Sequence, residues 1–191
     1  FPNAVDCFEK VKTEALQFHL YDNYFRSISS LMRIHAERLD FDKVESLIRE
    51  VDQVGSSLTS YKRYQPKIDY NQGISAMHRQ EPVMARVNFQ QALGHVDELL
   101  KDESMAKRDR EEMIRDQLLI RYCIAMLDKD GKNPALALKQ SEELIQEIYD
   151  LTHGEKAFEF QQLHDLEASI TILQGHCYRD LGDAQKALDK Y

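Results

Sequence analysis

Apolar residues recur every three or four positions along most of the chain, and no stretch alternates in the manner of a strand. Val5, Phe8, Val11, Ala15, Leu16 and Phe18 place a first helix over 4–19. Phe25, Ile28, Leu31, Met32 and His35 mark the inward face of a second, over about 21–39. Val44, Leu47, Ile48, Val51 and Val54 mark a third, over about 42–57, with Asp40-Phe41-Asp42 as the turn between them. Pro66 is expected to open the next helix, where its missing N–H costs nothing, followed by Tyr70, Gly73, Ile74 and Met77. Pro82 is expected to open its partner, with Ala85, Phe89, Ala92 and Leu93 inward. Two more helices are expected over 103–128 and 134–151, separated by Asp130-Gly131-Lys132-Asn133-Pro134, the clearest turn in the chain. Residues 152–156 should break the second of these, and a helix over about 156–181 leads into a short terminal one. The pattern predicts about nine helices and no sheet.

Small residues stand where two of these helices must touch. Gly73 precedes Ala85 by twelve positions, and Gly175 precedes Ala187 by the same twelve; Phe89 and Tyr191 follow in parallel, and a glutamine stands before each glycine. Gly182-Asp183 reads as a helix stop followed by a helix start. With Tyr178, this set resembles the tetratricopeptide (TPR) repeat, a helix–turn–helix of about 34 residues. It departs from the family pattern at Thr171, Gln174, Ala76 and Gln80-Glu81. The resemblance implies an all-α fold of antiparallel helix pairs stacked into a TPR-like right-handed superhelix. It implies one repeat domain over 1–191, with repeats at about 25–57, 66–101, 105–151 and 156–191. The small-residue positions Val44, Ala85, Ala137 and Ala187 are 41, 52 and 50 apart, longer than the standard repeat. Long repeats of this kind are similar to the regulatory domains of bacterial signalling proteins, such as diguanylate cyclases, sensor kinases and transcriptional regulators. The implied function is protein or peptide binding; the alternative is a sensor with a small-molecule or peptide-signal pocket in the superhelix.

Composition narrows the partners. Charged residues make up 30% of the chain and the net charge is −8, which argues against nucleic-acid binding through this segment, since that needs a basic face. No apolar run is long enough to span a membrane. The three cysteines, Cys7, Cys123 and Cys177, suit neither a disulfide framework nor a metal pair and favour a cytoplasmic setting, a periplasmic sensor domain being the alternative. The chain begins at Phe1 and is expected to be a segment of something longer. A second copy of the chain is a candidate partner.

Candidate chemistry is thin. None of the seven histidines follows a glutamate by three positions, and no HExxH, GxSxG or P-loop sequence occurs. The expectation is therefore no enzyme, no cofactor and no metal. Cys177 beside His176 is read as a buried thiol, because adjacent helical positions point about 100° apart. Tyr61, Tyr64 and Tyr70, interleaved with Lys62, Arg63 and Lys67, form a basic–aromatic cluster, read either as a binding edge or as a loop packing its tyrosines. The mixed-charge run 101–116 is read as a solvated helix face. The groove positions of a TPR first helix, carried over from the two glycines, fall on Lys67, Tyr70, Asn71, Ile74, Met77 and His78. At the other end they fall on Ser169, Ile172, Leu173, His176, Arg179 and Asp180. Lys67, Tyr70, Asn71, Met77, His78, Ile172, His176 and Arg179 are the expected partner contacts.

Overall fold

The computed structural model describes residues 2–55, 58–153 and 161–191, and among them it contains nine α-helices and no strand. They are α1 (Pro2–Gln17), α2 (Tyr21–Glu37), α3 (Phe41–Gly55), α4 (Thr59–His78), α5 (Pro82–Leu100), α6 (Lys107–Asp130), α7 (Pro134–His153), α8 (Gln161–Asp180) and α9 (Ala184–Lys190). The chain divides into two compact units, Phe1–Leu99 and Leu100–Tyr191.

Five of the connections are the same turn. His19, Leu39, Gln80, Lys132 and Gly182 all have positive φ, between 56° and 85°. In each case the next residue's N–H bonds the carbonyl five positions back: Leu20 to Ala15, Asp40 to His35, Glu81 to Ala76, Asn133 to Asp128 and Asp183 to Tyr178. This satisfies carbonyls that a helix end would otherwise leave orphaned. The same residue then caps the following helix: Asp40, Asn133 and Asp183 accept the N–H of Lys43, Leu136 and Lys186 through their side chains. The connections α2–α3, α6–α7 and α8–α9 therefore share both turn and cap, and α1–α2 and α4–α5 share the turn. Gly131, at the clearest sequence turn, is not the left-handed residue; its φ is −73° and the left-handed position falls on Lys132.

The packing inside the pairs follows one scheme. Twelve residues separate Met32 from Val44, Gly73 from Ala85, Ala125 from Ala137 and Gly175 from Ala187, and all eight are buried. A Cβ built on Gly73 would lie 2.5 Å from the Phe89 ring, and one on Gly175 would lie 2.7 Å from the Tyr191 ring. The ring thus occupies the space a side chain would need. In the first unit, Phe25 packs edge-on to Tyr61 and stacks on Tyr64, joining α2 to α4. In the second, Leu118 of α6 packs with Leu144 and Ile148 of α7 and Leu163, Leu166 and Ile170 of α8.

Two boundaries differ from the sequence reading. Pro66 lies inside α4, not at its start. The helix reaches back to Thr59 because the rings of Tyr61 and Tyr64 are held on Phe25, although the proline removes one helical N–H. The 61–70 cluster is thus helical, with Tyr61 and Tyr64 in packing roles. Helix α6 begins at Lys107 and not at 103. Asp102 accepts both the N–H and the hydroxyl of Ser104, a side-chain turn that competes with helix at that point. The expected break at 152–156 and helix start at 156 fall mostly on 154–160, outside the described residues.

Three stability outcomes follow from the backbone and its contacts. Leu39 carries a left-handed backbone at φ 59° and is 67% exposed. Leu39→Gly should raise unfolding free energy by about 1 kcal/mol, because the strain is removed and no packing is lost. Gly94→Ala in α5, with nothing within 4 Å of its missing Cβ, should also stabilise by about 1 kcal/mol through helix propensity. Gly73→Ala gains the same propensity but drives a methyl into Phe89, and should be net destabilising, the overpacking cost being roughly 1–3 kcal/mol. Urea denaturation of the three variants checks these signs.

Candidate functional site

Helix α8 leaves one straight stripe uncovered. At 3.6 residues per turn, Asp165, Ala168, Ile172, His176 and Arg179 fall within an arc of about 80°. Asp165, Ala168, Ile172 and Arg179 are exposed and His176 is half-buried; Ile172 is 49% exposed. The opposite side of α8 is core: Leu166, Ile170, Leu173 and Cys177 are buried. The stripe is set in place by the hairpin contact just described. Tyr191 lies over Gly175, its hydroxyl is 2.7 Å from His176 Nδ1, and the two rings are 5.5 Å apart. Arg179 makes its contacts to the neighbouring Asp180, at 3.3 Å.

The same positions on α6 are covered. The left-handed turn residues Lys132 and Gly182 are 50 apart, so Ala168 and Ile172 correspond to Leu118 and Tyr122. Leu118 is buried, and Tyr122 packs with it against Leu163, Leu166 and Ile170 of α8. Burial pushes the Tyr122 phenol above its usual range, with the neighbouring Cys123 adding to it. In the first unit the position matching Ala168 is Phe25, fully buried against α4. Where two hairpins carry a large buried ring or leucine, α8 carries an exposed alanine.

The expected contacts on α4 are differently placed. Lys67, Tyr70, Ile74 and Met77 lie along one side of α4 and are half-buried. The Tyr70 ring is tilted against Phe89, 5.8 Å between centroids, so it belongs in part to the α4–α5 packing. His78 is exposed and stacks on Phe41 of α3 at 4.0 Å. Asn71, by contrast, is 6% exposed, and its side-chain amide donates to the Lys67 carbonyl at 2.6 Å. Of the other groove positions, Leu173 is buried while Ser169 is half-buried and Asp180 exposed. Ile172, His176 and Arg179 are brought onto one stripe; Asp165 and Ala168, which complete it, were not singled out from sequence. Their signal was the same 50-residue offset that relates Ala137 to Ala187.

Two further polar groups stand out in the first unit. Asp69 of α4 is buried with its carboxylate 2.7 Å from His95 Nδ1 of α5. Burial pushes the Asp69 carboxyl up, against the hydrogen bond and charge of His95, and Asp52 pushes it further. The second group lines an open cleft of about 400 Å3 formed by Lys12, Thr13, Leu16 and Gln17 of α1 and Glu50 of α3. There Lys12 sits 2.9 Å from both Glu9 and Glu50. Burial works against its charge, but these two carboxylates outweigh it and hold the ammonium above its usual range. The buried Tyr24 hydroxyl donates to Glu50, and burial followed by that carboxylate's charge pushes the phenol up. Both oxygens of Glu50 are thus already engaged by this protein's own groups. Among the described residues, no three His, Cys, Asp or Glu side chains converge on a metal site, and no helix is long and apolar enough to cross a membrane.

The architecture is that of an all-α protein assembled from like helical hairpins. Comparison with protein-family models, with curated proteins and with solved structures returned no match to this chain.

The Asp69 site gives a pH outcome. A carboxyl whose folded pKa is raised favours the fold while protonated and loses that contribution as pH rises through its titration. Relative to Asp69→Asn, the wild-type protein should therefore lose stability as pH rises from about 3 to about 7. The difference between the two denaturation midpoints across that range isolates this group from the other carboxylates.

Proposed function

We propose that this chain is a protein- and peptide-binding regulatory module, built as a TPR-like array and working within a larger bacterial signalling protein. The observation that carries the reading is the uncovered α8 stripe. Ile172 and Arg179 are exposed and His176 half-buried, where the matching α6 positions Tyr122, Met126 and Lys129 are all half-buried, and exposed Ala168 stands where α6 carries the buried Leu118. Ile172, His176 and Arg179 offer an aliphatic, an imidazole and a cationic contact within about two turns. Arg179 can hold a carboxylate through two nitrogens. The recurring turn, and the repeated glycine-to-alanine spacing across it, support the repeat reading. The helix pairs are taken to stack as a right-handed superhelix. The half-buried side of α4, with Lys67, Tyr70 and Met77, is a separate proposed contact region of the first unit.

Selection of peptides from a random displayed library on the immobilised chain tests this. Enriched peptides should bind at least tenfold more weakly, about 1.4 kcal/mol, to Ile172→Asp and Arg179→Glu variants whose melting temperatures are unchanged. No enrichment, or binding indifferent to both substitutions, would contradict the reading.

A further inference from the structure

The α8 stripe reads the same in both directions about its centre. Asp165 lies seven residues before Ile172 and Arg179 seven residues after it; Ala168 lies four before and His176 four after. Two such helices laid antiparallel, with a two-fold axis through Ile172, would bring each Asp165 opposite the other copy's Arg179. Each Ala168 would face the other copy's His176, a small side chain meeting a large one. The Ile172 side chains would meet on the axis. A two-fold contact requires this self-complementarity, because one patch must serve both partners. The stripe spans about 21 Å of helix, and its two ends carry opposite charge.

From this pattern we infer that a second copy of the chain covers the stripe, giving an antiparallel dimer with α8 packed on α8. The inference rests on the reading of this stripe as an interaction face and names its occupant. Within one chain, the corresponding face of α6 packs on α8 through the buried Leu118 and the half-buried Tyr122. The dimer repeats that helix-on-helix contact one hairpin further along. Ala168, standing where Leu118 and Phe25 stand in the other hairpins, allows the close approach of two helix backbones. Tyr191, 60% exposed and bonded to His176, borders the contact. The charges are exposed, so the two Asp165–Arg179 pairs contribute chiefly register and orientation, and salt weakens them. A single helix pair makes a small interface, so association is weak.

Sedimentation equilibrium of the whole chain, from about 1 μM to about 1 mM, spans the range of such interfaces. A monomer–dimer equilibrium that weakens with salt is expected. Asp165→Arg alone and Arg179→Asp alone should each weaken the dimer at least tenfold. The double variant carrying both changes restores opposite charges across the axis and should recover dimerisation. Circular dichroism should show all three folded, since both positions are exposed. A chain that stays monomeric at every concentration overturns the inference, and so does a dimer that both single variants leave intact or that the double variant fails to restore. A monomer that still binds selected peptides would remove the second copy while leaving the proposed function standing.

Discussion

An aromatic ring lying on a glycine holds the two best-matched hairpins together. Phe89 covers Gly73 and Tyr191 covers Gly175, each at a distance that excludes even a methyl group. The contact sets how closely the two helices approach, and hence which residues of the first helix turn inward and which remain outside. In α8 the ring that covers Gly175 also reaches His176 of the stripe, while Ile172 and Arg179 stay exposed. The other two pairs solve the same problem with different volumes. At the ring position these pairs carry the buried Ser141 and the buried Ile48, the latter in one cluster with Met32 and Val44.

The left-handed turn is the second constraint. It stops one helix, caps the next and spends a single residue in a costly conformation. Four of its five occurrences use a non-glycine residue there, including Leu39. The asparagine or aspartate that follows, at positions 40, 133 and 183, compensates by capping the next helix. Because this turn recurs at intervals of 41, 52 and 50 from Leu39 onward, equivalent positions can be compared hairpin by hairpin. That comparison separates a covered position on α6 from its open counterpart on α8.

Much of the helical layout was legible from sequence, because three- and four-residue periodicity survives wherever one face is buried. Val44, Ala85, Ala137 and Ala187 are all buried small-residue positions as their spacing suggested. What was not legible depends on contacts, near or distant in sequence, that periodicity does not encode. Pro66 looked like a helix start because local chemistry permits it there; Phe25, some forty residues away, holds the preceding turns in helix. Asn71 occupies a groove position by register, but its amide turns back onto its own helix. Gly131 attracted the turn assignment by composition, while the hydrogen bonding placed the left-handed residue one position later. The Asp69–His95 pair joins two helices with no sequence motif to mark it.

Proton NMR tests the ring-on-glycine contact most directly. Aromatic rings shield protons held over their faces, so the α-protons of Gly73 and Gly175 should resonate well upfield of those of Gly94, whose surroundings are empty. Each should also show nuclear Overhauser contacts to the ring protons of Phe89 and Tyr191 respectively. Ordinary α-proton shifts at Gly73 and Gly175, with no contact to those rings, would contradict the hairpin clamp and the α8 face that depends on it.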